Sequence, residues 1–193
     1  IDLGGFFRDP GAMVWGHPCA GDAAVTLQSR LEDFEMKPGV HILFDCHGTL
    51  DLYCWDGGKT WVVDGEAVGD AKQCANATSE AATAVMEAMR PGIKISELQR
   101  LGRAVYRKSG IASADDVLIF FHGLGLSHME LEQSTADGVP NYDWQLETNM
   151  VVPLHILVPG DEHHRIWIEE VIRVTPDGGE PFFNWGLDPM ITL

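Results

Sequence analysis

The sequence predicts an α+β domain: a curved antiparallel sheet of two pseudo-symmetric halves, with helices covering one face. Three observations predict it. Two segments, KPGVHILFD and ETNMVVPLH, share a polar lead-in and an apolar strand that ends in a ligand-type residue, Asp45 or His155. Each is followed by a further strand with a carboxylate, Asp56 after 11 residues and Glu169 after 14. Between them lies the one long stretch of helical periodicity. Self-similarity of this kind marks two halves that share one site at their interface.

In chain order, residues 1–38 are rich in Gly and Pro and read as loop with one short strand near residues 12–15. The sequence starts without Met in an extended segment, and an incomplete chain is expected. Residues 40–63, VHILFDCHGTLDLYCWDGGKTWVV, form the organising hairpin. Its first strand carries Asp45, a turn is expected at His47-Gly48-Thr49, and a second strand starts at Tyr53 and reaches Asp56. A helix should open near Asp64-Gly65-Glu66 and run to Arg90, with Ala67, Ala71, Cys74, Ala75, Ala77, Ala81, Ala82, Val85, Met86 and Met89 at mostly helical spacing. Pro91-Gly92 stops it. A second helix follows with Ser96 as N-cap, Leu98, Leu101, Val105 and Tyr106 as apolar residues, and Gly110 after Arg107 and Lys108 at its end. Strands are expected at residues 117–121, 150–156 and 165–174.

Composition narrows the function. The 193 residues are 45% hydrophobic and 22% charged, enough for one domain with a substantial core. Thirteen basic against 29 acidic residues give a net charge of −16, which argues against nucleic acid or an anionic membrane as partner. No apolar run approaches a membrane span, and the first residues lack a signal-peptide layout. Cys19, Cys46, Cys54 and Cys74 show no CxxC spacing and read as reduced thiols of a cytoplasmic protein.

The chemistry is carried by acids and imidazoles. Asp45 and Asp56, on neighbouring antiparallel strands, repel one another and are costly to desolvate unless a cation lies between them. His122 follows the apolar strand VLIFF and opens HGLGLSH. A histidine at a strand end is by itself more often structural than a ligand. Together with Asp45, Asp56, His155 and Glu169 it reads as part of a metal site. The His163-His164 pair lies in the acidic tip GDEHHR and reads as solvent-exposed, Trp55 and Trp167 as possible pocket walls, and Tyr53 as a buried residue whose hydroxyl orients a ligand.

These motifs resemble the catalytic domain of the pita-bread-fold metallopeptidase family, which includes methionine aminopeptidase, prolidase, aminopeptidase P and the metal-free creatinase. In DCHGTLDLYCWDGGKT, Asp45, Tyr53, Asp56 and Thr60 fall in register with the family's first motif. His122-Gly123-Leu124-Gly125 matches its His-Gly-Ile-Gly, and Trp167-Ile168-Glu169 its closing Arg-Ile-Glu, over roughly residues 38–180. The resemblance implies the pita-bread fold and one or two divalent ions drawn from Mn, Co, Zn and Fe. It assigns Asp45 to one ion, Asp56 and Glu169 to bridging positions and His122 to the second ion. The slot of the family's remaining Glu holds His155 counted from Met150 and Val158 counted back from Pro159-Gly160. His155 is preferred because imidazole is still a metal ligand, which shifts the expected preference to Zn, Fe or Co and weakens retention of a second ion.

Other departures concern the substrate side. Met129 fills the family's substrate-side His slot, Glu130 is in register, and His128 comes one residue early. An upstream His is also expected, with His17 the nearest candidate. The implied reaction is attack of a metal-activated water on an amide carbonyl of a short X-Pro peptide. Glu169 relays the proton and His128 hydrogen-bonds the developing oxyanion. Alternatives are the same fold with changed chemistry, as in creatinase or the metal-dependent dimethylsulfoniopropionate lyase, and a non-catalytic peptide-binding module. The resemblance further implies a homodimer, a small peptide or small-molecule substrate, and a first helix pair and N-terminal domain that residues 1–193 lack.

Overall fold

Ten consecutive cross-strand pairs, from His41↔Val62 to Leu50↔Tyr53, join the two strands of the organising hairpin. The structure is a computed structural model that describes residues 13–18, 37–111, 114–128, 143–160 and 164–192, with backbone only for 13–18, 44, 46 and 190–192. The hairpin strands are β2 (His41–Leu50) and β3 (Tyr53–Val62), preceded by β1 (Met13–Pro18). The expected turn at His47-Gly48-Thr49 is not where the chain reverses. It reverses at Asp51 and Leu52, whose φ values of 49° and 71° are those of a two-residue hairpin turn. Moving the turn leaves His47 inside a strand with its side chain in register with Asp56. Tyr53 sits beside this turn and is 49% exposed, so its expected buried, ligand-orienting role is corrected.

Two helices follow, α1 (Gly69–Ala88) and α2 (Ile95–Lys108). The buried face of α1 is Ala71, Cys74, Ala75, Thr78, Ala81, Ala82 and Val85, small residues that let α2 approach closely. The start expected at residues 64–66 moves to Gly69, and Asp64 (φ 49°) and Gly69 (φ 57°) turn the chain first. In α2 the N-cap is Lys94 and not Ser96, because Glu97 Oε2 accepts the Lys94 N–H at 3.1 Å. Ser96 is inside the helix, and its N–H is met by Asp143 Oδ1 at 3.0 Å. Gly110, with φ 75°, ends the helix after Arg107 and Lys108 as expected.

The remaining strands are β4 (Leu118–Phe121), β5 (Val151–Val158), β6 (Ile166–Thr175), β7 (Gly178–Pro181) and β8 (Met190–Thr192). The sheet order β1-β2-β3-β6-β5-β4 places two three-stranded halves back to back, with β3 and β6 adjacent at the centre. Its register supports the pseudo-symmetry at the first ligand of each half: Asp45 faces Gly58 as His155 faces Glu169. Asp56 lies two residues from the position equivalent to Glu169, so the second carboxylates are offset. Gly58 also faces Glu169, so Asp45, Gly58, Glu169, His155 and Phe120 form one row across five strands.

Alternation along β5 and β6 divides the sheet into two faces. Val152, Leu154, Ile156, Ile166, Ile168 and Ile172 share a core with α1 and α2. His155, Trp167 and Glu169, of the opposite parity, point to the other face. There the pairs Leu43–Trp167 and Leu124–Val171 flank the row.

The helix-side face is closed beyond β6 by the chain after β7. Glu170 Oε2 accepts the Trp185 indole N–H at 2.6 Å, and Lys59 Nζ donates to the Trp185 carbonyl at 2.9 Å. Burial, opposed by the hydrogen bonds from Trp185 and Phe183, pushes the Glu170 carboxyl up to about 7 from 4.5. An acid with a raised folded pKa stabilises the fold fully below its unfolded pKa, and that contribution is lost as pH rises through the folded value. Between about pH 4.5 and 7 the wild type is therefore expected to lose on the order of 2–3 kcal/mol through this group. Thermal melts across that range test it: Glu170→Gln should show a shallower loss.

Gly179 meets α1 closely. A Cβ there would lie 2.8 Å from the Met86 carbonyl oxygen and 2.6 Å from Ile172 Cγ2. Because one neighbour is helix backbone, Gly179→Ala should cost about 1–3 kcal/mol, read as a lower midpoint in urea.

Candidate metal centre

Each ligand-type side chain reaches the site by a different local device. The β2–β3 register brings Asp45, His47 and Asp56 to one face. The β5–β6 register adds His155 and Glu169. His122 follows β4 at the far edge, and the loop after it folds back over the sheet. There the Leu124 N–H donates to the Val151 carbonyl at 3.1 Å, and the Cys54 N–H to the Gly125 carbonyl at 2.7 Å. That loop delivers His128 to β3.

The inner group is Asp56, His122, His155 and Glu169, whose ligand atoms all lie within 4.8 Å of one another. All four are buried, Glu169 completely. His122 Nδ1 is 3.0 Å from the Gly123 carbonyl, which can only accept, so Nδ1 carries a hydrogen and Nε2 is the nitrogen turned to the site. That Nε2 lies 3.4 Å from Asp56 Oδ2. His155 stacks on Phe120 with ring centres 4.2 Å apart, and its Nε2 lies 3.5 Å from Glu169 Oε1. Among the described residues, neither ring nitrogen of His155 nor either oxygen of Glu169 has a hydrogen-bond partner. Buried polar atoms without partners cost about 1–3 kcal/mol each, and a divalent cation would satisfy one His155 nitrogen and the Glu169 oxygens.

The electrostatics agree. Burial, then repulsion from Asp56 and Asp45, raises the Glu169 carboxyl well above its ordinary range. Burial and Asp56 push Asp45 up to about 6, against its contact with Glu169 and the attraction of His128 and His122. For Asp56 burial acts upward, but the hydrogen bonds of His122 and His128 outweigh it and hold this carboxyl below the usual range. Burial and the neighbouring His122 keep His155 deprotonated, the form that binds metal. Two carboxyls pushed toward their protonated forms beside the ionised Asp56 form a pocket whose charge a cation would relieve.

Of the residues expected from the sequence, Asp56, His122, His155 and Glu169 meet in one donor set. Asp45 borders it, in carboxyl contact with Glu169. His128 is half-buried with Nε2 2.7 Å from Asp56 Oδ2. His17 lies opposite Leu43 on β1, with its side chain outside the described residues, as are Met129, Glu130 and His163. His164 is exposed, as expected. Trp167 lies 5.3 Å from the His155 ring, as a pocket wall should. His47 is the residue that sequence reasoning missed. It stacks on His128 with ring centres 4.3 Å apart, and its alternation with Asp45 along β2 was the signal that could have found it.

Fold and site together define an α+β protein with a buried carboxylate–imidazole centre suited to a divalent transition metal. The chain belongs to metallopeptidase family M24, whose sequence model matches residues 3–176. An uncharacterized peptidase of Staphylococcus aureus strain USA300 is 30% identical over 164 residues, 83% of this chain and 44% of that protein. The chain thus spans less than half the length of this curated relative. A dipeptidase from Mycobacterium ulcerans superposes with a TM-score of 0.75 at 21% identity, covering 95% of this chain and 47% of the other. An X-Pro aminopeptidase from Thermotoga maritima gives 0.74 at 18%, covering 94% and 49%. A prolidase from Thermococcus sibiricus gives 0.73 at 21%, covering 94% and 47%. At these identities the likeness establishes the pita-bread fold.

Proposed function

We propose that the chain is the catalytic part of a metal-dependent hydrolase that cleaves an amide bond in a small peptide, of the X-Pro aminopeptidase or prolidase type. The observation that carries this reading is the buried donor set, in which the His155 nitrogens and Glu169 oxygens lack a hydrogen-bond partner among the described residues. When bound, one or two divalent ions from Mn, Co, Zn and Fe supply positive charge that acidifies a water and polarises a carbonyl. Asp56, His122, His155 and Glu169 would hold an ion, with Asp45 the further carboxylate available beside Glu169. Glu169 takes the proton of the attacking water and passes it toward the leaving nitrogen. His128, half-buried at the mouth, donates to the developing oxyanion. Its hydrogen bond with Asp56 raises its pKa, against the effect of burial. Trp167 and Phe120 hold the His155 ring and exclude water from that side.

Hydrolysis of X-Pro dipeptides and tripeptides by the purified protein, supplied in turn with Mn, Co, Zn and Fe, tests the reading. Cleavage with at least one metal is expected. A protein that holds metal and cleaves none of them moves to the second reading, the same fold with changed chemistry of the lyase or amidinohydrolase kind. His155 favours that reading, since it gives the inner set two imidazoles and two carboxylates. A peptide-binding module would hold the same peptides uncut. Among the described residues no helix is long and apolar enough to cross a membrane. A cytoplasmic setting, read from the cysteine usage, and a homodimer, implied by the family resemblance, belong to this proposal.

A further inference from the structure

We propose that His47 and His128, sharing Asp56 with the inner set, form a second and imidazole-rich cation site at the mouth of the centre, suited to Zn2+ or Co2+. It rests on the metalloenzyme reading above and says where a second ion sits. The ligand atoms of His47, Asp56 and His128 lie within 4.8 Å of one another. Both imidazoles are half-buried and the carboxylate is buried, which grades the two sites from interior to entrance. Asp45, the carboxylate that the sequence motif points to for this position, belongs to neither donor set.

The geometry at Asp56 supports sharing. Its Oδ1 accepts the Gly57 N–H at 3.0 Å, which fixes the carboxylate. Its Oδ2 lies between imidazoles, 2.7 Å from His128 Nε2 and 3.4 Å from His122 Nε2. A carboxylate oxygen flanked by one imidazole from each donor set is placed as a bridging ligand. An ion in the outer site replaces the hydrogen that His128 and Asp56 share, and that proton leaves to solvent. Two neutral imidazoles and one carboxylate select borderline ions such as Zn2+ and Co2+ over Mg2+ or Ca2+.

The test is titration of the metal-stripped protein with Co2+, followed by calorimetry and visible absorption, which read stoichiometry and donor environment without turnover. Two equivalents are expected in the wild type. His47→Ala should keep the tighter equivalent unchanged and weaken the other at least about 100-fold, beyond what loss of a supporting contact gives. Asp45→Asn should weaken the outer equivalent less than His47→Ala does. If circular dichroism shows that His47→Ala has not folded, His128→Gln gives the same reading. Two equivalents of unaltered affinity in His47→Ala, or loss of the second in Asp45→Asn alone, overturn the proposal. A single equivalent with equal affinity in wild type and His47→Ala overturns it as well and leaves the inner centre standing. No binding by the wild type removes the metalloenzyme reading itself.

Discussion

Asp56→Asn is expected to lower kcat/KM toward an X-Pro dipeptide by at least about 10³-fold, a loss of about 4 kcal/mol of transition-state stabilisation. Asp56 is the one carboxylate common to both donor sets. An amide in its place can still accept the Gly57 N–H through its oxygen. Its NH2 then faces His122 and His128 where Oδ2 now accepts, and no negative charge remains to hold a cation or to accept from His128. The cost to the fold should be small by comparison. A charge-assisted hydrogen bond of about 1.5–3 kcal/mol is lost, but the burial of a charge is relieved with it. The melting temperature should therefore fall by only a few degrees while activity disappears. Full activity in this variant would remove the metal-centred account of the reaction.

The second large effect concerns His155, where function and stability oppose one another. Its ring is buried against Phe120 and Trp167, and both nitrogens lack partners in the metal-free protein. His155→Leu replaces it by an apolar group of similar size among apolar neighbours. The metal-free protein should gain about 1–3 kcal/mol, seen as a melting temperature raised by several degrees for a chain of this length. The wild type should gain stability on adding saturating Zn2+ or Co2+, because an ion that binds only the folded state stabilises it by mass action. In His155→Leu that gain should be largely lost, and with it hydrolysis. A variant less stable than wild type without metal, yet stabilised equally by metal, would show that His155 is a packing residue and not a ligand.

What the sequence makes legible follows from physical periodicity. Asp56, His122, His155 and Glu169 stand on or beside apolar strands, so alternation places them, and their residue types identify the chemistry. The small-residue face of α1 and the glycine after α2 are equally local signals. His47 was hidden because Gly48 and Thr49 read as a turn. The reversal is made instead by Asp51 and Leu52, residues whose left-handed conformation has no strong signature when neither is Gly or Asn. The start of α2 was misplaced because Ser96 is a good cap by type, whereas the capping acids are Glu97 and the distant Asp143. Strands β7 and β8 are short and owe their place to pairing with β6 and β3. The Glu170–Trp185–Lys59 cluster likewise joins residues remote in sequence, which no window of local pattern brings together.

The most direct test of the account is the metal content per chain, by elemental analysis of protein purified without chelator, in wild type, His155→Leu and Glu169→Gln. The account predicts at least one transition-metal ion per wild-type chain and a marked loss in both variants. A wild type that carries none and takes up none on reconstitution, or variants that hold as much as the wild type, would contradict it.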